Sequence, residues 1–216
     1  MGGKGYSLAF DPLDGSSIID SNFTVATIWG CWPGSTLVGV DGRSMTSAGV
    51  TLYGPRTTMT LAVSEAEHSH EFLLTEKGWE RVNTYSVIGE GKLHAPGNLR
   101  AIKDNAGYAE LVQYWQDNTY QLRYTGGMAP DVLQLLVKKK GIFTNPHSKS
   151  APAKLRCLYE TIPIAFIVEK AGGGSSDGEG SILDVKVTNL EQKMQVAYGN
   201  KKEVERFERM VGVKYV

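Results

Sequence analysis

Asp11-Pro12-Leu13-Asp14-Gly15-Ser16-Ser17 follows directly on Tyr6-Ser7-Leu8-Ala9-Phe10, a short run with aromatic residues at both ends. The run reads as a β-strand, and Pro12 with Asp14-Gly15 reads as a sharp turn at its end. Two carboxylates three positions apart at such a turn can converge on a hard cation, with a main-chain carbonyl as a further oxygen ligand. Gly15, Ser16 and Ser17 can then offer backbone N–H groups to an anion. Cation ligands beside an anion cradle describe a phosphate held by metal. The residues alone leave open an ordinary Asp-Gly turn that carries two aspartates.

Outward from this turn, the first 82 residues read as β structure. Phe23 to Trp29, Leu37 to Val40, Val50 to Tyr53 and Thr57 to Val63 are rich in β-branched and aromatic residues, with turn signals at Pro33-Gly34, Asp41-Gly42 and Gly54-Pro55. The short spacing favours antiparallel pairing. From about residue 83 strands alternate with helices. Tyr108, Leu111, Val112 and Trp115 mark one helix face, with Asp104 or Asn105 as cap. A second helix is expected over Met128 to Lys140, with Val132, Leu135 and Leu136 inward and Asp131 near its start. A third starts at Pro163 and stops at Gly172. A fourth follows Asn200, where Glu203 completes a capping box. The layout divides into a β-rich part, residues 1–82, and an α/β part, residues 83–216.

Composition narrows the function. The 216 residues hold 23 Lys+Arg against 23 Asp+Glu, so no cationic surplus points to nucleic acid. The longest apolar run, Ile162 to Val168, falls far short of the ~20 residues of a membrane span. Cys31 and Cys157 are far apart and read as two reduced thiols of an intracellular protein. His68 and His70 read as solvated residues of a polar loop, because nothing around them has zinc-ligand spacing.

Two further stretches carry candidate chemistry. If Lys154-Leu155-Arg156-Cys157-Leu158-Tyr159-Glu160 is extended, Lys154, Arg156 and Glu160 share one face, two cations and a carboxylate suited to a phosphate beside a metal. A surface helix with an Arg156–Glu160 pair is the alternative. In Arg123-Tyr124-Thr125-Gly126-Gly127-Met128, an Arg and a Tyr before a glycine pair can clamp a distal phosphate, or form a solvated strand-to-helix loop.

Taken in order, Phe10 to Ser17, Arg123 to Met128 and Lys154 to Glu160 resemble the sugar bisphosphatases, the fructose-1,6-bisphosphatase class within the inositol-monophosphatase-like superfamily. The resemblance runs from about Tyr6 to Phe207 and includes Ala165 to Gly173 and Gln195 to Gly199. It implies an α/β fold, a layered αβαβα sandwich, whose first helical layer is not expected in this chain. It implies a phosphoric monoester hydrolase in which Asp11, the Leu13 carbonyl, Asp14 and Glu160 bind Mg²⁺, with Mn²⁺ as the alternative. Gly15, Ser16, Ser17, Lys154 and Arg156 then surround the scissile phosphate, with Asp14, Glu160 and Arg156 as the catalytic group. Arg123, Tyr124 and Met128 meet the sugar and its distal phosphate. In relatives the Arg of this motif reaches a neighbouring subunit's site, which implies a homodimer or homotetramer.

Within the family, Tyr53 to Thr58 and Ser86 to Lys92 resemble the sedoheptulose branch. Gly89-Glu90-Gly91-Lys92 stands where fructose enzymes show Asn-Glu-Gly-Tyr, and Phe143-Thr144 where they show Leu-Tyr. The resemblance therefore implies space for a seven-carbon sugar, with Lys92 on its distal phosphate. It also implies a place in plastid stroma in a photosynthetic cell and in cytoplasm otherwise. Met1 lies ten residues before Asp11, so the upstream third that supplies further acids in the family is expected outside this chain, and the 216 residues alone are expected to turn over little substrate.

Overall fold

The computed structural model describes residues 5–212. β1 (Tyr6–Asp14), β2 (Val25–Pro33), β3 (Ser47–Tyr53), β4 (Thr57–Val63), β5 (Ser69–Thr75) and β6 (Gly78–Tyr85) form one antiparallel meander in sequence order. A second sheet contains β7 (Gly89–Pro96), β8 (Gln121–Leu122), β9 (Lys140–Asn145), β10 (Gly174–Ser176) and β11 (Val196–Gly199), in the order β10-β11-β9-β7-β8. Here β7 runs parallel to β8 and β9, while β11 is antiparallel to β9 and β10. The helices are α1 (Ala106–Asp117), α2 (Met128–Lys138), α3 (Ile162–Lys170) and α4 (Lys201–Met210). None is long and apolar enough to cross a membrane among the described residues.

α2 and α3 lie between the two sheets, each touching strands of both, and α1 and α4 pack together on the far side of the second sheet. The order sheet, helices, sheet, helices has two cores. The larger joins Ile28, Trp32 and Val50 of the first sheet to Leu136, Ile164 and Phe143. The smaller joins Tyr108, Trp115 and Phe207 to Ile142 and Ala197. α3 explains the arrangement from sequence. Residues Ile162 to Val168 are all buried, and a helix apolar all round needs cover on every side. The opposite face of the first sheet has no helix over it among the described residues. There Tyr6, Leu8 and Phe10 of β1 are each more than half exposed.

Several expectations change. Leu37 to Val40 is not a strand; its backbone pairs with Val187 in a loop. His70 lies on β5, with Nδ1 3.0 Å from Thr84 Oγ1, and not in a loop; β5 buries Ser69 and Glu71 on one face, while β6 is exposed from Trp79 to Thr84, so neither strand carries an apolar alternation. α2 ends at Lys138. Lys139 turns left-handed at φ 53° and Lys140 already belongs to β9. Asn105, not Asp104, caps α1 by accepting from the Tyr108 amide at 2.9 Å. Both cysteines are free thiols, and burial pushes that of Cys157 up to about 12.

Candidate active site

The Asp11–Ser17 stretch is built by a break in strand pairing. Asp11 pairs with Ile28 but Asp14 pairs with Ala26, so β1 bulges between them. Bulges re-aim side chains at sheet edges. Asp11 Oδ1 accepts from the Leu13 amide at 3.0 Å, which tightens the bend, and Pro12 O accepts from Thr27 Oγ1 at 2.9 Å. Gly15 then takes φ 88°, a left-handed conformation costly for a residue with a Cβ, and begins the tight turn Ser16–Ser21.

The loop before α2 seats against this turn. Ile18 lies within 3.3 Å of where a Cβ of Gly126 would be and 3.0 Å of one on Gly127, so the glycine pair permits the approach. Buried Asp131 folds the loop by accepting from the amides of Thr125 and Gly126. The first turn of α2 thereby meets Asp14, and the Ala129 amide donates to Asp14 Oδ2 at 3.0 Å.

Glu160 arrives by a route that differs from the extended strand expected. The chain is extended only as far as Arg156; Cys157–Thr161 forms a π-helical turn that runs into α3. Single π-helical turns are frequent at functional sites. The turn bends Glu160 back, and its Oε2 accepts from the Arg156 amide at 2.5 Å. Strand alternation therefore does not place Glu160. The Arg156 guanidinium is held by Glu191 at 2.9 Å and by the Lys154 carbonyl at 2.8 Å.

Carboxylate oxygens of Asp11, Asp14 and Glu160 all lie within 4.8 Å of one another. Burial raises the Asp14 carboxyl to about 6, aided by the charges of Asp11 and Asp131 and opposed by the Ala129 amide. Burial raises Glu160 to about 7, aided by Asp14 and Asp11 and opposed by the Arg156 amide. Three acids drawn together at such cost form an oxygen-ligand set for a hard cation.

These acids open into a cavity of about 460 Å³. Leu13, Gly15, Ser16, Ser17, Lys154 and Arg156 line it beside the acids, and Tyr124, Met128, Phe143 and Asn145 line it farther along the chain's second sheet and α2. Among the expected site residues, Arg123 is exposed and outside the lining. Lys92 is a correction. It sits in a separate depression with Tyr114, Tyr120 and Arg206. In β7 the neighbours Leu93 and Ala95 enter the core between the sheets, so Lys92 and His94 point to the α1 side, where His94 packs on Trp115. Thr144 is likewise fully buried on that side, 3.4 Å from the Tyr108 hydroxyl, while Phe143 and Asn145 face the cavity. The argument from Lys92 and Thr144 for the shape of the sugar site therefore does not hold. Asn145, Asp131 and the Ala129 amide were missed as site components; strand alternation in β9 would have separated Asn145 from Thr144.

A family model described as fructose-1-6-bisphosphatase, N-terminal domain, matches residues 2–83, and one described as the C-terminal domain matches residues 87–212. Sedoheptulose-1,7-bisphosphatase, chloroplastic, of Spinacia oleracea is 56% identical over 213 residues, covering 97% of this chain and 55% of that protein. A crystal structure of a Toxoplasma gondii protein assigned as a sedoheptulose-1,7 bisphosphatase matches with TM-score 0.91 and 35% identity, over 95% of this chain and 72% of that one. Leishmania major fructose-1,6-bisphosphatase in its T-state matches with TM-score 0.87 and 30% identity, over 95% and 70%. The fold is thus the α/β sugar-phosphatase fold, and the chain belongs to the fructose-1,6-bisphosphatase family. It spans about half the length of the curated relatives it matches.

Proposed function

We propose that this chain forms the phosphate and sugar sites of a metal-dependent phosphoric monoester hydrolase that converts sedoheptulose 1,7-bisphosphate to sedoheptulose 7-phosphate and phosphate. The observation that carries the reading is the convergence of Asp11, Asp14 and Glu160 on the cavity that Ser16, Ser17 and Lys154 also line. The oxygen-only donor set and its mutual repulsion fit Mg²⁺, or Mn²⁺, better than a softer metal. Asp11, Asp14, Glu160 and the Leu13 carbonyl would hold it. A bound divalent cation supplies charge neutralisation at the phosphate and acidifies an attacking water.

The chain's own residues do the rest. Gly15, Ser16, Ser17 and Lys154 receive the 1-phosphate and stabilise its developing charge, with Arg156 at the rim. Asp14 is kept in place by the Ala129 amide, and Glu160 by the Arg156 amide. Tyr124 and Met128 contact the sugar. Exposed Arg123 is assigned to a neighbouring subunit's site in a homodimer or homotetramer. Residues 1–82 and 83–216 act as two domains, the first giving the metal and phosphate turn and the second Lys154, Glu160 and the sugar contacts. Relatives named as chloroplastic support a plastid location.

The seven-carbon substrate is supported by the relatives' names and no longer by Lys92 or Thr144. The test is phosphate release by the purified protein in Mg²⁺ from sedoheptulose 1,7-bisphosphate and from fructose 1,6-bisphosphate. A higher kcat/KM for the former is expected. An equal or reversed ratio returns the chain to the fructose branch. Sugar-phosphate binding without turnover on either substrate marks a catalytically incomplete fragment.

A further inference from the structure

We propose that Tyr198 is a positioning residue for the metal site, its hydroxyl fixing the π-helical turn that delivers Glu160 to Asp11 and Asp14; the inference rests on the site reading above. Tyr198 lies on β11 and is fully buried. Its hydroxyl donates to the Thr161 carbonyl at 3.0 Å, joining residues 37 positions apart and gripping the chain one residue after Glu160. The second sheet holds the hydroxyl in place. Tyr198 pairs directly with Phe143 of β9, and the two rings stack with centroids 6.2 Å apart. The next residue, Gly199, has no Cβ to meet the Gly141 carbonyl, so β11 closes fully on β9. The donor is thus carried on a fixed strand.

The turn it grips needs an outside anchor. A π-helical turn closes its hydrogen bonds one residue later than an α-helical turn and occurs mostly as a single turn. In Cys157–Thr161 the amides of Glu160 and Thr161 both fall on the Arg156 carbonyl, at 3.3 and 2.9 Å. The Thr161 hydroxyl doubles back on the Cys157 carbonyl at 3.2 Å. Just beyond, Pro163 has no amide to extend the ladder. Relaxation of this junction to ordinary α geometry would rotate Glu160 away from the two aspartates. Repulsion among the three carboxylates, all within 4.8 Å, pushes the same way. The bond from Tyr198 opposes both. Burial, and then the Glu160 charge, hold the Tyr198 hydroxyl well above its ordinary value, so it is a donor throughout the neutral range. The signal in the sequence was Val196-Ala197-Tyr198-Gly199, an apolar strand with one side-chain polar atom, and a buried tyrosine finds a partner for its hydroxyl.

The test is calorimetric titration with Mg²⁺ alone of wild type, Tyr198→Phe, Glu160→Gln and the double variant, with thermal melting in EDTA alongside. Tyr198→Phe keeps the ring and is expected to weaken Mg²⁺ binding at least fivefold. In the Glu160→Gln background the same change is expected to alter Mg²⁺ affinity by less than twofold, because Tyr198 acts through Glu160. A disturbance of the fold at large would instead add in both backgrounds. A Tyr198→Phe protein that binds Mg²⁺ within twofold of wild type overturns the assignment. So does an equal loss in both backgrounds, and so does a Tyr198→Phe chain that does not melt cooperatively, since each leaves the hydroxyl a role in packing alone. Unchanged affinity in Glu160→Gln itself overturns the site reading and this inference together, an outcome distinct from the others.

Discussion

The Ala129 amide donates to Asp14 Oδ2 at 3.0 Å, joining residues 115 positions apart. This single bond couples the strand bulge to the first turn of α2, and the partial positive charge of a helix start suits a carboxylate there. It offsets burial without cancelling it, since Asp14 still rises to about 6. Asp14→Asn keeps an oxygen acceptor for Ala129 and removes one of three crowded charges. We expect Mg²⁺ affinity to fall at least tenfold in calorimetry, while the melting temperature in EDTA at pH 8 rises. A lower melting temperature in EDTA would show that the Asp14 charge stabilises the fold.

The acids also set a pH dependence. In the folded, metal-free chain Asp14 and Glu160 hold their protons to about 6 and about 7, above their ordinary values of 3.8 and 4.5. Raised folded values mean that the folded state binds more protons between about pH 4 and 7, so this contribution to stability is full below about pH 4 and is lost as pH rises through 6 and 7. Mg²⁺ competes with those protons. The increase in melting temperature on adding Mg²⁺ should therefore be larger at pH 8 than at pH 5.5. An equal or smaller increase at pH 8 would contradict these assignments.

Asp131 is almost fully buried and accepts three hydrogen bonds from the amides of Thr125 and Gly126. Asp131→Ala leaves those amides without partners, at a cost of about 1–3 kcal/mol. The change should also loosen the seat of α2 against the Asp14 turn. Chemical denaturation is expected to show the loss of stability, and calorimetry a weaker Mg²⁺ site; unchanged values for both would remove Asp131 from the support of the site.

Gly97 allows the short helical turn Leu99–Lys103, which follows β7, to lie against the end of β9. A methyl group there meets the Thr144 carbonyl, which is held in the sheet and cannot yield like a side chain. Gly97→Ala is expected to cost about 1–3 kcal/mol through overpacking. Urea denaturation measures it, and an unchanged midpoint would mean that the turn is free to move.

The sequence made much of this legible because local chemistry and global fold agree. The Asp-Gly turn, the β-branched and aromatic runs of β2 and β4 and the seven apolar residues of α3 each point to one structure. The acids at positions 11 and 14 were likewise readable as a pair, although a bulge within β1, and not a turn, brings their side chains together. What was not legible depends on strand register and on backbone irregularity. Lys92 and Thr144 were matched by motif, yet β7 and β9 alternate so that both face α1. Glu160 was expected from strand periodicity and is delivered by a π-helical turn, which leaves no simple pattern in the residues. The Ala129 amide carries no side-chain signal at all.

The most direct measurement of the central claim is Mg²⁺ binding by calorimetry in the presence of inorganic phosphate, for wild type and for Asp11→Asn, Asp14→Asn and Glu160→Gln. One shared cation site beside a phosphate site predicts saturable binding in wild type and a loss of at least tenfold in each variant. Unchanged Mg²⁺ affinity in all three variants would contradict the account.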